Sequence, residues 1–330
     1  MVRKHGWSAA LFACAALSLA SGADGEELGT LKIGVLEFGT VNWELDVIQH
    51  NDLDAKHGFE LEVQGYGNNQ ATQVALRGDA VDGIVVDWLW VARQRSEGGD
   101  FVFVPYSTSV GSLMVPPDSG IADLGDLEGK TIGVAGGPLD KSWLLIQALA
   151  RERHGIDLAD AAEPAFGAPP LLNQKALDGE LDAVLNYWHF SARLEARGFE
   201  ELIGVDEVAA ALGIEGEVPQ LGYVFHESFA DENEALVLAF VEASVEAKEL
   251  LEGDEEWQRI RPLTKAEDDA TFEALKRRFR EGIPESFGES ERTSAAELYT
   301  ILADLGGEEL VGPSKTLDPG TFWSRLTSYQ

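Results

Sequence analysis

Two segments one hundred residues apart carry one pattern. VDGIVVDWLWVAR (81–93) lies over LDAVLNYWHFSAR (181–193) without a gap, pairing Asp82 with Asp182, Trp88 with Trp188, Ala92 with Ala192 and Arg93 with Arg193. Upstream, Ile33-Gly34-Val35 recurs as Ile132-Gly133-Val134 at an offset of 99. Two matches in the same order at nearly the same spacing argue that the chain builds one structural unit twice.

The pattern around each copy says what the unit is. LKIGVLEFG (31–39) reads as a strand, NQATQVALRG (69–78) as a helix and DGIVVD (82–87) as a strand; KTIGVAGG (130–137), SWLLIQALARERHG (142–155) and LDAVLN (181–186) repeat that order. Such alternation predicts an α/β fold, a parallel sheet with helices on both faces in each of two lobes. From Ser228 onward the pattern turns helical, over 233–251, 266–282 and 293–305. Pro116-Pro117 and Pro219 punctuate the ends of the second unit. We therefore expect a first lobe from 29–112 completed by 226–330, a second lobe from 113–225, and a hinge of two chain crossings near 111–117 and 219–226.

The first 23 residues differ from the rest. Arg3 and Lys4 make a basic start, Ala9 to Ala20 is an apolar run, and Ser21-Gly22-Ala23 offers small residues for cleavage, the arrangement of a signal peptide. The run is too short to anchor a helix across a bilayer. The single cysteine, Cys14, lies inside it, and the residues around it fit a lipid-modified cysteine poorly. The expected mature chain is exported and has no thiol for a disulfide or a thiolate metal site.

The formal net charge of -33, from 25 basic and 58 acidic residues, makes nucleic acid a poor partner, because phosphate binding requires positive charge. The acidity suits either a solvated surface in a salty medium or a cationic ligand. The acids are spread along the whole chain, which favours the surface.

In open α/β sheets, ligands bind beyond the carboxyl ends of strands. Asp87 stands at such an end, either capping the next helix or facing a ligand. Trp88 and Trp90 then diverge by about 200° on that helix. The repeat points to Trp88 as the ring facing the cleft and to Trp90 as core, since Trp188 recurs whereas position 190 is Phe. AGGPLDKS (135–142) lacks the glycines of a nucleotide phosphate loop, but a glycine-rich turn opening a helix presents free N–H groups to an anion. The alternative is a tight turn capped by Asp140. No HExxH, G-x-S-x-G or paired-cysteine pattern occurs. His50, His57 and His154 read as surface residues; His189, next to Trp188, is the histidine in a position to meet a ligand.

The segments LKIGVLEFGTVNWELDVIQHNDLDAKHGFELE, QATQVALRGDAVDGIVVDWLWVA, DLEGKTIGVAGGPLDKSWLLIQAL and ALDGELDAVLNYWHFSARLEARGF resemble the periplasmic substrate-binding proteins of nitrate-, sulfonate- and taurine-type ABC importers. That family also holds binders of thiamine-pyrimidine precursors. The resemblance runs from roughly 30 to 310. It implies a type II periplasmic binding fold, in which two lobes on a two-crossing hinge close on a small molecule. It also implies a periplasmic monomer that docks on an inner-membrane permease, with no cofactor and no catalysis. Ligand contacts would come from the loop after the first strand (Glu37, Thr40, Asn42, Trp43), from Asn68 and Asn69, and from Asp87 and Trp88. The second lobe would add Gly137, Asp140, Lys141 and Ser142, then Asn186, Tyr187, Trp188 and His189.

Where sulfonate and nitrate binders tend to be small, hydroxylated or basic, these positions are acidic and aromatic. A box of Trp43, Trp88, Tyr187 and Trp188 would suit an organic cation or a flat heterocycle. The alternatives are a sulfonate, a metal ion or chelate on Glu37, Glu44, Asp46 and Asp87, or a sensor presenting its ligand to a membrane receptor. The thiamine-pyrimidine synthase on this fold uses an iron-bound, cysteine-rich motif, which a cysteine-free mature chain lacks.

Overall fold

The computed structural model describes residues 28–326. The signal peptide expected over 1–23, with Cys14, lies outside the described residues. Among the described residues, ten strands form two five-stranded sheets. They are β1 (Gly29–Leu36), β2 (Phe59–Tyr66), β3 (Gly83–Asp87), β4 (Phe101–Ser107), β5 (Gly111–Val115), β6 (Thr131–Ala135), β7 (Glu163–Gly167), β8 (Ala183–Tyr187), β9 (Glu200–Gly204) and β10 (Leu221–His226). The first sheet runs β2-β1-β3-β10-β4 and the second β7-β6-β8-β5-β9.

The sheets are mixed rather than parallel. β10 runs antiparallel to β3 and β4, and β5 antiparallel to β8 and β9. The chain leaves the first sheet after Ser107, enters the second at Gly111 and rejoins the first at Leu221. The stretches expected as crossings are thus mostly strand. The first crossing is Thr108–Val110, and Pro116-Pro117 ends β5 instead of marking the passage between lobes. Helices Glu234–Glu252, Asp254–Thr264, Asp269–Glu281 and Glu289–Val311 then pack along both lobes. Among the described residues no helix is long and apolar enough to cross a membrane.

The repeat has a structural cause. β1 and β6 hold the same position in their sheets, as do β3 and β8. Asp82 Oδ2 accepts the Lys32 N–H at 2.8 Å, and Asp182 Oδ2 accepts the Thr131 N–H at 2.8 Å, so each aspartate pins the neighbouring strand one residue before their pairing begins. A Cβ on Gly133 would stand 2.6 Å from Leu181 Cδ1, and one on Gly34 only 3.1 Å from the Tyr66 ring. Arg93 donates to the Glu309 carbonyl, while Arg193 donates to those of Thr264 and Lys265. The helix after β3 and the helix after β8 are therefore tied to the C-terminal helices by the same residue.

Candidate ligand cleft

The strands β1, β3, β6 and β8 end facing one space between the lobes. Helices Val41–His50 and Trp88–Ser96 start there from the first lobe, and Lys141–His154 and Trp188–Glu195 from the second. Asp87 caps its helix, Oδ1 accepting the Leu89 N–H at 2.8 Å, while Oδ2 is ion-paired with Lys141 across the cleft. Asp140 caps the opposing helix through the Ser142 and Trp143 N–H groups at 3.0 and 3.2 Å. The Gly136-Gly137 turn before it is a strand-to-helix connection, with Gly136 at φ +89° where L side chains are strained. Ser142 is buried.

Trp43 and Trp188 meet edge to face from opposite lobes, centroids 6.0 Å apart at 90°. Trp43 also packs on Trp257 at 5.7 Å, and Trp188 on Phe279 at 6.3 Å. The expectation for Trp88 is corrected. Its ring is 0% exposed and lies against Tyr299 and Phe322 beneath the C-terminal helices. Trp90 is half-buried against Phe101 under the Arg77 guanidinium. The repeat thus preserves a helix face that packs under the C-terminal return. Only in the second lobe does that face also reach the partner lobe.

The polar candidates divide. Asn186 is buried with both amide hydrogens engaged: Nδ2 donates to the Pro169 carbonyl and to Asn173 Oδ1, and Oδ1 accepts the Tyr187 N–H. It has no amide hydrogen left to offer a ligand, and at 1% exposure its side chain serves the turn after β8 in this conformation. Asn42 spends its amide hydrogens on the Leu36 and Gly39 carbonyls, both at 2.8 Å, holding the turn after β1. Asn68 caps the helix Asn69–Arg77 through the Ala71 N–H and is exposed with Asn69. Thr40 is half-buried and Glu37 exposed.

The metal alternative is not assembled. Glu44 is buried and binds Lys248 at 2.6 Å, Tyr223 and Ser244; Asp46 pairs with Arg259, and Asp87 with Lys141. Among the described residues no cluster of three or more His, Cys, Asp or Glu could hold a metal ion.

Two cavities flank the Trp43–Trp188 contact. The larger, of ≈ 670 Å³, is lined by Glu37, Thr40, Asn42 and Trp43 from one lobe, and by His189, Phe190 and Arg193 from the other. Leu263 to Lys265 close its side. The smaller, of ≈ 350 Å³, lies at the hinge, where Lys141 and Trp188 meet both crossings. Phe190, Arg193, Lys265 and the hinge-side residues Gln220 and Arg278 were not foreseen as lining residues. Of these only Arg193 left a signal, as a member of the repeat.

Electrostatics differ across the cleft. Burial, with the nearby Arg193 charge, pushes the His189 imidazole down to about 3, so it is neutral. Burial, then the Asp140 and Asp87 carboxylates, push the Tyr187 phenol up to about 12, although 43% of the residue is exposed. Burial also raises Asp140 against the pull of its two capping N–H groups.

This architecture, two mixed α/β lobes with a cleft at facing strand ends, is that of the periplasmic binding proteins. The periplasmic aliphatic sulphonate binding protein SsuA from Escherichia coli superposes with a TM-score of 0.70 at 17% identity, covering 90% of this chain and 98% of that one. For the alkanesulfonate-binding protein SsuA from Xanthomonas axonopodis pv. citri, bound to MOPS, the figures are 0.64, 16%, 89% and 98%. For the periplasmic nitrate-binding protein NrtA from Synechocystis PCC 6803 they are 0.59, 13%, 82% and 80%. No curated protein matches the sequence. A family model described as NMT1/THI5 like matches residues 54–252, more than half of the chain, which belongs to that family.

Proposed function

We propose that this chain is the exported solute-binding component of an ABC importer. Its lobes close on a small organic molecule in the periplasm, and the monomer delivers that molecule to an inner-membrane permease without catalysis. The observation that carries this reading is the ≈ 670 Å³ cavity walled by both lobes at the facing strand ends, of a size suited to a small molecule. The fold shared with sulfonate- and nitrate-binding proteins supports it. Native mass spectrometry of protein purified without refolding tests it. A retained small molecule, released on denaturation, together with a radius of gyration that shrinks when that molecule is restored, is the expected result. A chain that carries no small molecule, and whose radius is unchanged across solute panels, would sink the proposal.

The larger cavity favours an organic anion over the cation expected from its aromatic residues. Phe38, Leu177 and Leu263 give it apolar walls, and its charged lining is three cations, Arg193, Arg197 and Lys265, against the Glu37 and Glu267 carboxylates, with Lys265 and Glu37 making no ion pair among the described residues. An alkyl or aryl body with a sulfonate or carboxylate end matches both features. Lys265→Gln should then weaken binding of the retained solute about tenfold, as expected for loss of a charge-assisted hydrogen bond.

A further inference from the structure

We propose that Arg193 is a latch between the lobes, a positioning residue that finishes the wall of the larger cavity only when they are closed. That wall is the turn 262–265, which lines the cavity and ends the helix Asp254–Thr264. The helix belongs to the first lobe. Its Arg259 is ion-paired with Asp46 of the helix Val41–His50, and Asn51 Nδ2 donates to Glu256 Oε1 at 3.2 Å. Arg193 stands on the helix Trp188–Glu195 of the second lobe.

The last carbonyls of an α-helix have no partner within it, and here side chains take them. The Thr264 hydroxyl donates to the Arg261 carbonyl at 2.7 Å and the Trp43 indole N–H to that of Leu263 at 3.4 Å, both from the first lobe. The Arg193 guanidinium comes from the other side, donating to the Thr264 carbonyl at 2.9 Å and the Lys265 carbonyl at 3.3 Å while pairing with Glu267 at 2.8 Å. Those two carbonyls bracket the Cα of Lys265, whose φ of +51° lies in the left-handed region. A non-glycine residue persists there where its surroundings hold the flanking peptides. Arg193 holds them from the opposite lobe. Opening withdraws the guanidinium, returns both carbonyls to water and frees Lys265 from its strained backbone. The cavity gains its side wall, and the unpaired ammonium a fixed place, in the closing step itself.

The repeat supplies a control. Arg93, the equivalent of Arg193, donates to the Glu309 carbonyl at 2.8 Å in the last turn of Glu289–Val311. It too caps a helix, but neither Arg93 nor Glu309 lines the larger cavity.

The latch is read without solute, while its effect on solute rests on the organic-anion reading of the cavity given above. Amide hydrogen exchange is followed by mass spectrometry in the mature chain with no solute added. Arg193→Met should speed exchange over residues 260–268 about tenfold, through loss of hydrogen bonds from a charged donor. Arg193→Lys should do the same, because a lysine keeps a charge facing Glu267 but cannot fork across two carbonyls; it reports even where Arg193→Met fails to fold. Arg93→Met should speed exchange over 305–312 and leave 260–268 as in the wild type. Wild-type protection of 260–268 in Arg193→Lys, or its loss in Arg93→Met, overturns the proposal. Hexanoate and hexanesulfonate are then titrated calorimetrically. Arg193→Lys and Lys265→Gln should each weaken binding about tenfold, and together no more than either alone, since one residue acts through the other. Losses that add would make Arg193 independent of Lys265 and overturn its positioning role. Failure of both anions to bind a chain that shows the expected exchange would leave the latch standing while the organic-anion reading fell.

Discussion

Lys141 of the second lobe sets its ammonium against Asp87 Oδ2 of the first, while Asp87 Oδ1 accepts the Leu89 N–H at 2.8 Å. One carboxylate therefore caps a helix and joins the lobes. Asp87→Asn keeps the cap and removes the charge. It should cost about 1 kcal/mol of stability, as for a partly screened pair, and X-ray scattering should show a larger radius of gyration. A lowered melting temperature at unchanged radius would mean that the pair stabilises one lobe without holding the two together.

The two tryptophans of the Trp88–Ser96 helix should behave oppositely to the expectation drawn from the repeat. Trp88→Ala empties a fully enclosed site between Tyr299 and Phe322 and should cost about 3–5 kcal/mol in urea unfolding. Trp90→Ala loses a half-exposed contact with Phe101 and Arg77, worth about 1 kcal/mol. Equal losses would contradict the packing described.

Lys248→Met should be among the most damaging charge removals in the chain. Glu44 is fully buried, and Lys248 is its only cationic partner among the described residues. Breaking a buried pair by removing one partner costs about 3–5 kcal/mol. The double variant Glu44→Gln/Lys248→Met should recover most of that loss. A double variant as unstable as the single would show that the lysine stem, and not the stranded carboxylate, matters.

His189 should make the fold acid-sensitive. The folded imidazole holds no proton until about pH 3, whereas the unfolded one protonates near its usual value of about 6.5. Between these values the unfolded chain binds more protons. Stability therefore falls as pH drops through this window, by at most about 1.4 kcal/mol per pH unit, and this contribution is absent above 6.5. Melting temperatures at pH 7 and 5 should drop further in the wild type than in His189→Phe. Equal drops would show that the imidazole titrates freely.

The strands β1, β3, β6 and β8, the helix caps and the doubled architecture could be read from local sequence because each is a local property, whereas the other six strands were not read. Asp87 and Asp140 announce helix starts by chemistry alone, and glycines 34 and 133 mark close approaches that short-range packing demands. Strand direction is not local: the apolar runs of β5 and β10 read the same in either orientation, so the parallel sheets expected are mixed. Side-chain destination is not local either. Trp88 and Trp188 hold equivalent positions in equivalent lobes, yet only the second meets Trp43, because different C-terminal helices cover the two faces. Lys265 and Gln220 reach the cleft through tertiary contacts between segments far apart in sequence, and neither left a pattern to find.

β10 lies between β3 and β4, and β5 between β8 and β9. The second sheet is complete once the chain reaches Gly204, whereas the first stays split, with β3 and β4 lacking the strand that joins them, until His226 arrives. The lobe begun first is finished last. For a chain emerging amino end first, the open edges of β3 and β4 are the surfaces in need of protection from pairing with other chains, and a polypeptide cut short between Gly204 and Leu221 would keep those edges bare.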